Sequence, residues 1–193
     1  MIRLFDIIFS FIGLIILSPI LLLVAAWIKI DSKGPVLYRQ NRVGIRNMDF
    51  RLLKFRSMRI NADKAGLLTV GGRDNRITKA GYWLRKYKID ELPQLINVLK
   101  ADMSLVGPRP EVRKYVDMYT EAQKKVLMVR PGITDMASIA YKKENELLAG
   151  SPDPEKTYIE EIMPQKLKLN MIFIEKPTLA NYFKIIFKTL FPT

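Results

Sequence analysis

Asp90 and Glu91 stand side by side at the start of a helical pattern, and Arg109 follows between Pro108 and Pro110. A carboxylate is a competent nucleophile toward phosphorus, as in aspartyl-phosphate chemistry. Its obstacle is charge, because an anion must approach an anionic phosphate ester. Magnesium removes that obstacle by bridging carboxylate and phosphate oxygens, using one or two carboxylates and filling its other positions with substrate and water. An arginine adds a permanently charged, two-pronged grip on nonbridging oxygens, and flanking prolines of fixed φ hold it on a stiff turn. The chain contains no His and no Cys. Thiol nucleophiles, Ser-His-Asp relays and zinc sites built on Cys or His are therefore excluded, and no disulfide framework holds the fold.

The elements that must position these groups are partly readable. Leu92, Leu95, Ile96 and Leu99 recur at helical spacing, which places Asp90 at or near a helix N-terminus. Two readings of Asp90 follow. In one it is an N-cap, with Glu91 complementing the helix dipole and Pro93 accommodated in the first turn. In the other the same helix end, with its free N–H groups, favours a bound phosphate. Upstream, residues 36–43 and 49–56 read as two short strands joined around Gly44-Ile45-Arg46-Asn47. Extended backbone would put Phe50, Leu52, Lys54 and Arg56 on one face, aiming two cations together beside an apolar patch; the alternative is charge guarding an edge strand. Residues 61–80 read as a polar loop with Gly71-Gly72 as a turn, residues 81–87 as a short basic helix, and residues 111–129 as a helix with Val112, Tyr115, Val116 and Tyr119 on one side. Leu179, Tyr182, Phe183, Ile186, Phe187 and Leu190 mark a last helix, either interfacial on an anionic leaflet or packed on the core.

At 193 residues the chain is of single-domain size. Lys and Arg outnumber Asp and Glu by 32 to 19, a surplus that suits nucleic acid, an acidic leaflet or phosphorylated substrates. The N-terminus selects among these. Residues 7–28 carry no charge, and a continuous helix of that length extends roughly 33 Å, comparable to the ~30 Å hydrocarbon core of a bilayer. Ser18-Pro19 lies near its middle, where proline lacks an N–H and crowds the Ile15 carbonyl, so the helix is expected to bend or break. The Ser18 hydroxyl is a candidate partner for the backbone group so freed. Basic residues flank both ends, namely Arg3 before the run and Lys29, Lys33, Arg39 and Arg42 after it. Such flanks fit a segment that enters and returns to the cytoplasmic face, while a kinked single span stands as the other reading.

Several motifs occur in a telling order: Arg42-Val43-Gly44, Lys54-Phe55-Arg56-Ser57-Met58, Ile89-Asp90-Glu91-Leu92-Pro93-Gln94, Ser104-Leu105-Val106-Gly107-Pro108-Arg109-Pro110 and Arg130-Pro131-Gly132-Ile133-Thr134. Together they resemble the signature of the bacterial sugar transferase family, the small monotopic polyprenol-phosphate phosphoglycosyl transferases. The resemblance implies transfer of a sugar-1-phosphate from a UDP-sugar to a polyprenol phosphate such as undecaprenyl phosphate, with release of UMP. It implies Asp90 as the nucleophile forming a covalent phosphosugar, Glu91 as its partner, and magnesium held by Asp90 and Glu91. Arg109, Lys54 and Arg56 become the groups that receive substrate phosphate. It also implies that Ser18-Pro19 makes the membrane helix re-entrant at the cytoplasmic face of the bacterial inner membrane. Two departures stand out: the linker has Asn47 near the place where glycine is commoner, and Asp135-Met136-Ala137-Ser138 replaces a glycine and glutamine-containing segment. Asn170 and Asn181 stand where relatives often carry acids.

The expected fold class is thus α/β, mostly helical with a small β-hairpin. Residues 1–30 form a re-entrant membrane helix broken at Ser18-Pro19, and residues 31–193 form a cytoplasmic phosphoglycosyl transferase domain with interfacial amphipathic helices. Expected partners are a UDP-sugar, polyprenol phosphate and membrane lipid, with no nucleic acid. A noncatalytic basic membrane-bound module and a glycosyl transferase releasing UDP are the alternatives.

Overall fold

The computed structural model describes residues 1–62 and 74–191. Most of the loop expected over residues 61–80, and the turn expected at Gly71-Gly72, lie outside the described residues. Helix α1 (Ile2–Asp31) comprises 30 residues and is long and apolar enough to cross a membrane. The expected break does not divide it, since Pro19 lies inside one uninterrupted helix. The reason is local. Pro19 has no N–H for the Ile15 carbonyl, and the Ser18 hydroxyl donates to that same carbonyl at 2.8 Å, so the group proline abandons keeps a partner.

Helix α1 docks on the remainder of the chain near both of its ends. Asp6 and Ser10 are buried at the first end, Val24 and Ile28 at the other, and no residue from Phe11 to Leu23 is buried. Val24 and Ile28 pack with Phe55 and Leu84. The hairpin follows as expected, with β1 (Leu37–Val43) antiparallel to β2 (Asp49–Phe55) in the register Leu37 opposite Phe55 and Val43 opposite Asp49. Arg46 and Asn47 in its turn both have positive φ, a conformation that favours glycine or asparagine. That accounts for asparagine where glycine is the commoner choice. The Arg113 guanidinium secures the turn by donating to the Asn47 side chain and backbone carbonyl.

Helix α2 (Lys79–Lys86) begins with Thr78 capping the Gly81 amide. Gly81 is required by a close approach, because a Cβ there would meet the Ser57 carbonyl at 1.8 Å. A single 3-10 turn (Ile89–Glu91) leads into α3 (Gln94–Leu99). Beyond it comes a feature that periodicity did not reveal: β3 (Ser104–Val106) pairs in parallel with β4 (Gly132–Thr134). The helix expected over residues 111–129 is instead one turn, α4 (Arg113–Val116), followed by a 3-10 segment (Gln123–Met128). Thr120 and Gln123 exchange side-chain to backbone hydrogen bonds, a reciprocal cap that starts a new helix rather than continuing the old one. The expected face survives, since Val112, Tyr115, Val116 and Tyr119 are all buried in the largest core cluster.

Short helices α5 (Met136–Ala140), α6 (Glu144–Ala149) and α7 (Pro154–Thr157) lead through a π turn to α8 (Met163–Glu175) and α9 (Leu179–Leu190). Helix α9 packs on the core along one side, as the second reading expected. Tyr182 and Ile185 are buried against Val106, while Phe183, Phe187 and Leu190 remain exposed. The α/β class holds, mostly helical, with two small sheets and one long apolar helix.

Candidate active site

The 3-10 turn that carries Asp90 and Glu91 begins at Lys88, which adopts the left-handed conformation at φ 58°. Strain of this kind persists only where the surroundings over-determine it. Leu92 and Pro93 then carry helical dihedrals into α3. Asp90 is not an N-cap: it sits within the turn, its side chain caps no amide, and it is 5% exposed with Oδ1 lacking any hydrogen-bond partner. A buried carboxylate oxygen without a partner is costly, and the capping role that would have explained Asp90 structurally is gone.

Glu91 gathers the cations. Its Oε1 accepts from Lys54 Nζ at 3.2 Å and from Arg109 Nη2 at 2.5 Å, and Oε2 faces Arg109 Nη1 at 3.4 Å. Lys54 reaches it from β2, and Asn97 fixes the distance between the two elements. The Asn97 side chain accepts from Leu53 N and donates to the Arg51 carbonyl, pinning α3 against β2 on both sides of Leu52. Arg109 arrives on the turn after β3. Gly107 and Gly132 make that turn dense, since a Cβ at Gly132 would meet Gly107 N at 2.1 Å. Asp135 completes the support: its carboxylate accepts the Arg109 backbone N–H at 2.7 Å and also caps α5 through Ser138 N. Beside it, Arg42 donates to the Pro110 carbonyl and to Glu111, whose other oxygen accepts the Tyr158 hydroxyl.

The structure therefore brings Asp90, Glu91, Lys54 and Arg109 together. It takes Arg56 elsewhere. The strand ends at Phe55, and the buried Arg56 guanidinium donates to the carbonyls of Pro35, Lys33 and Ser32. It thereby braces the chain just after α1 rather than presenting a second cation beside Lys54. Asn170 is buried in α8 and lines a small cavity with Arg109 and Glu111, and Asn181 donates to the Lys176 carbonyl. Asn97, Asp135 and Glu111 were missed from the sequence, whereas Arg42 was read there as part of the Arg42-Val43-Gly44 motif. Of the three, only Asp135 carried a signal, being an acid directly after the Arg130-Pro131-Gly132-Ile133-Thr134 motif.

Charge is unevenly shared between the paired carboxylates. Burial pushes the Asp90 carboxyl up, and the neighbouring Glu91 charge adds to it. Burial would raise Glu91 as well, but Arg109 and Lys54 outweigh it and hold Glu91 well below the usual carboxylate range. Burial pulls the Lys54 ammonium down to about 8 against the opposing pull of Glu91. Glu91 in turn pushes the Arg109 guanidinium up. The result is one fixed anion between two cations, next to a basic carboxylate with a buried, unpartnered oxygen. Arg109 is 36% exposed against 12% for Glu91, so part of its five-donor fork remains open to a ligand.

The set suits magnesium. Among the described residues no three His, Cys, Asp or Glu side chains are grouped to hold a metal, which disfavours an all-protein cage. Magnesium characteristically takes one or two carboxylates and completes its shell with substrate phosphate and water. The unpartnered Asp90 Oδ1 supplies one such oxygen, and Glu91 retains lone pairs beside its cations.

The sequence profile described as bacterial sugar transferase matches residues 1–193. A UDP-N-acetylgalactosamine-undecaprenyl-phosphate N-acetylgalactosaminephosphotransferase of Aeromonas hydrophila is 45% identical over 139 residues, covering 70% of this chain and 33% of that protein. UDP-glucose:undecaprenyl-phosphate glucose-1-phosphate transferases of Klebsiella pneumoniae and Caulobacter vibrioides are 36% and 35% identical, covering 98% and 97% of this chain. The chain spans 39% of the Klebsiella protein and 67% of the Caulobacter one.

Proposed function

This chain belongs to the bacterial sugar transferase family, and on that footing we propose that it transfers a sugar-1-phosphate from a UDP-sugar to a polyprenol phosphate, releasing UMP. The observation that carries the proposal is the buried Asp90 Oδ1, unpartnered beside a Glu91 that is already neutralised by Lys54 and Arg109. Relatives named for undecaprenyl-phosphate sugar-phosphate transfer support the substrate classes.

In the first step Asp90 Oδ1 attacks the β-phosphorus of the donor. A bond forms from the carboxylate to phosphorus, the bridging P–O bond breaks, and its electron pair leaves on the α-phosphate of UMP. An oxygen of the polyprenol phosphate then attacks the same phosphorus, and the Asp90 carboxylate departs, leaving a polyprenol diphosphate sugar. The raised proton affinity of Asp90 makes its ionised form the better nucleophile. Arg109 grips nonbridging oxygens with the donors that Glu91 leaves free, and Lys54 adds positive charge from β2. Glu91 holds both cations at the spacing the diphosphate needs. Asp90 with Glu91 would hold magnesium, which would supply charge neutralisation for the approach of the carboxylate to phosphate.

The acceptor is a lipid, so the site must lie at a bilayer surface. The docking of α1 near both ends supports a re-entrant segment whose apex is Ser18-Pro19, with the body on the cytoplasmic face of the inner membrane. Charge flanking both ends supports the same orientation. Purified protein supplied with UDP-sugars, undecaprenyl phosphate and magnesium should release UMP and stop when the metal is chelated. Release of UDP would point to glycosyl transfer. Salt-sensitive binding of nucleic acid without turnover would point to a noncatalytic module.

A further inference from the structure

The first turns of α1 contain an acid that neither an apolar membrane helix nor the chemistry at Asp90 requires. Asp6 is 2% exposed. Its Oδ1 accepts from Ser104 Oγ at 3.0 Å, Leu105 N at 2.9 Å and Tyr182 OH at 2.9 Å, and Oδ2 accepts from Ser104 Oγ at 2.9 Å. All of these donors are neutral, and they are what permits a buried carboxylate to exist there. One turn earlier, Arg3 donates to the Val98 carbonyl at 2.7 Å and the Leu99 carbonyl at 3.2 Å, adding a charged donor at the C-terminal end of α3, where the last carbonyls lack intrahelical partners; the Val98 carbonyl also accepts the Ala101 N–H.

These contacts occupy a particular stretch of chain. Helix α3 continues directly from the turn that holds Asp90 and Glu91, and β3 leads directly into Gly107-Pro108-Arg109. Arg3 holds the end of α3 and Asp6 holds the start of β3, so the two residues grip both sides of the link between the carboxylate pair and its arginine. Gly13, two turns further on, faces Leu95 within α3.

We propose that Asp6 and Arg3 are positioning residues that lock the N-terminal turns of α1 to the link between Asp90-Glu91 and Arg109, so that the catalytic geometry assembles only when the N-terminus lies on the same membrane face as the body. The proposal rests on the phosphoglycosyl reading for its catalytic half and on the contacts alone for its structural half. If the N-terminus crossed the bilayer, Leu105 N would lose its Asp6 partner and the end of α3 its Arg3 contacts, and the spacing of Glu91 and Arg109 would loosen. Positive flanking charge alone orients a segment but does not shape a site; the lock does both. It also gives Asp6 a purpose that runs against the positive-inside pattern.

The principal variant lies outside α1. Ser104→Ala with Tyr182→Phe removes two of the donors to Asp6 from the body side, without changing the charge or hydropathy of the membrane helix. Arg3→Lys is the companion variant, retaining the charge while losing the paired carbonyl contacts. Full-length protein in bilayer nanodiscs is followed by amide hydrogen exchange, by labelling of a cysteine placed at exposed Leu4, and by UMP release. The double variant should accelerate exchange at Leu105 and across Glu91 to Leu95, leave the β1–β2 hairpin as in wild type, and make position 4 partly accessible from the far side. With positions misplaced by an ångström or less, kcat should fall about tenfold or more while KM for the UDP-sugar changes by less than about threefold. Arg3→Lys should show the same pattern more weakly. Wild-type exchange at Leu105 in the double variant would overturn the lock, as would opening at Leu105 with undiminished kcat. Absence of UMP release from the wild type would sink the phosphoglycosyl reading instead, and the exchange and labelling patterns would still decide the lock.

Discussion

Asp90 and Glu91 are neighbours in sequence but opposites in environment. Glu91 is stabilised as an anion by two cations, whereas Asp90 is buried with an unpartnered oxygen and a raised proton affinity. A site that keeps a destabilised group for chemistry should gain stability when that group is removed. Asp90→Asn relieves both the desolvated charge and its repulsion with Glu91, so the variant should melt at or a few degrees above the wild-type Tm while losing at least about a thousandfold in turnover. Calorimetry and UMP release on the same preparation check this pair of expectations. A variant that loses stability and keeps activity would restore a purely structural role. Glu91→Gln should fail differently, because it leaves Lys54 and Arg109 without their shared anion; lower stability and lower activity should appear together. The Lys54 ammonium, pulled down to about 8 by burial, is charged below that value and neutral above it. Donor capture should therefore weaken as pH rises through about 8, visible as an alkaline limb in kcat/KM. In Lys54→Arg, whose side chain stays protonated, that limb should move to higher pH.

At the scale of elements, α1 is one helix rather than two because Ser18 takes over the Ile15 carbonyl that Pro19 leaves unbonded. The serine and the proline act as a unit. Pro19→Ala restores an N–H for Ile15 and removes the ring clash, favouring a straight helix of about 45 Å, long enough to cross the bilayer. Single cysteines at Leu4 and Lys33 should both label from the cytoplasmic side in the parent protein, and Leu4 should label from the periplasmic side in a substantial fraction of Pro19→Ala. Identical labelling of parent and variant would remove the proline from the topology argument. The hairpin, α2 and α9 were legible from the sequence because each has a periodic apolar face of adequate length. The β3–β4 pair was not, since three-residue strands carry no alternation to read. Residues 111–129 misled because a helical apolar pattern continues past Thr120, where a local cap reinitiates the chain. Arg56 misled for a related reason: two-residue alternation aims it with Lys54 only if the strand continues, and β2 ends one residue short. The motif residues Asp90, Glu91, Lys54 and Arg109 could be found because their types state a chemistry. Asn97 and Asp6 act through partners distant in sequence, which leave no local trace.

Across the whole molecule, the exposed apolar surface and the site are joined by α1. Phe5 and Phe9 on α1 contact Phe183 on α9, extending the exposed apolar surface of α1 onto a helix whose other side packs on β3. Tyr82, Trp83 and Tyr87 are exposed on and just after α2, with Lys86 over the Trp83 ring, the residue types that settle at a bilayer interface. A net charge of +13 suits both an anionic leaflet and two anionic substrates. On the proposed mechanism one carboxylate would meet a soluble donor and then a lipid acceptor in turn, which is the purpose of a covalent intermediate. The direct test is intact-protein mass spectrometry after incubation with a UDP-sugar and magnesium in the absence of polyprenol phosphate. Covalent catalysis at Asp90 predicts one added phosphosugar per chain, located on the peptide containing Asp90, absent in Asp90→Asn, and discharged when polyprenol phosphate is added. Full turnover with no adduct under single-turnover sampling, or an adduct on any other residue, would contradict it.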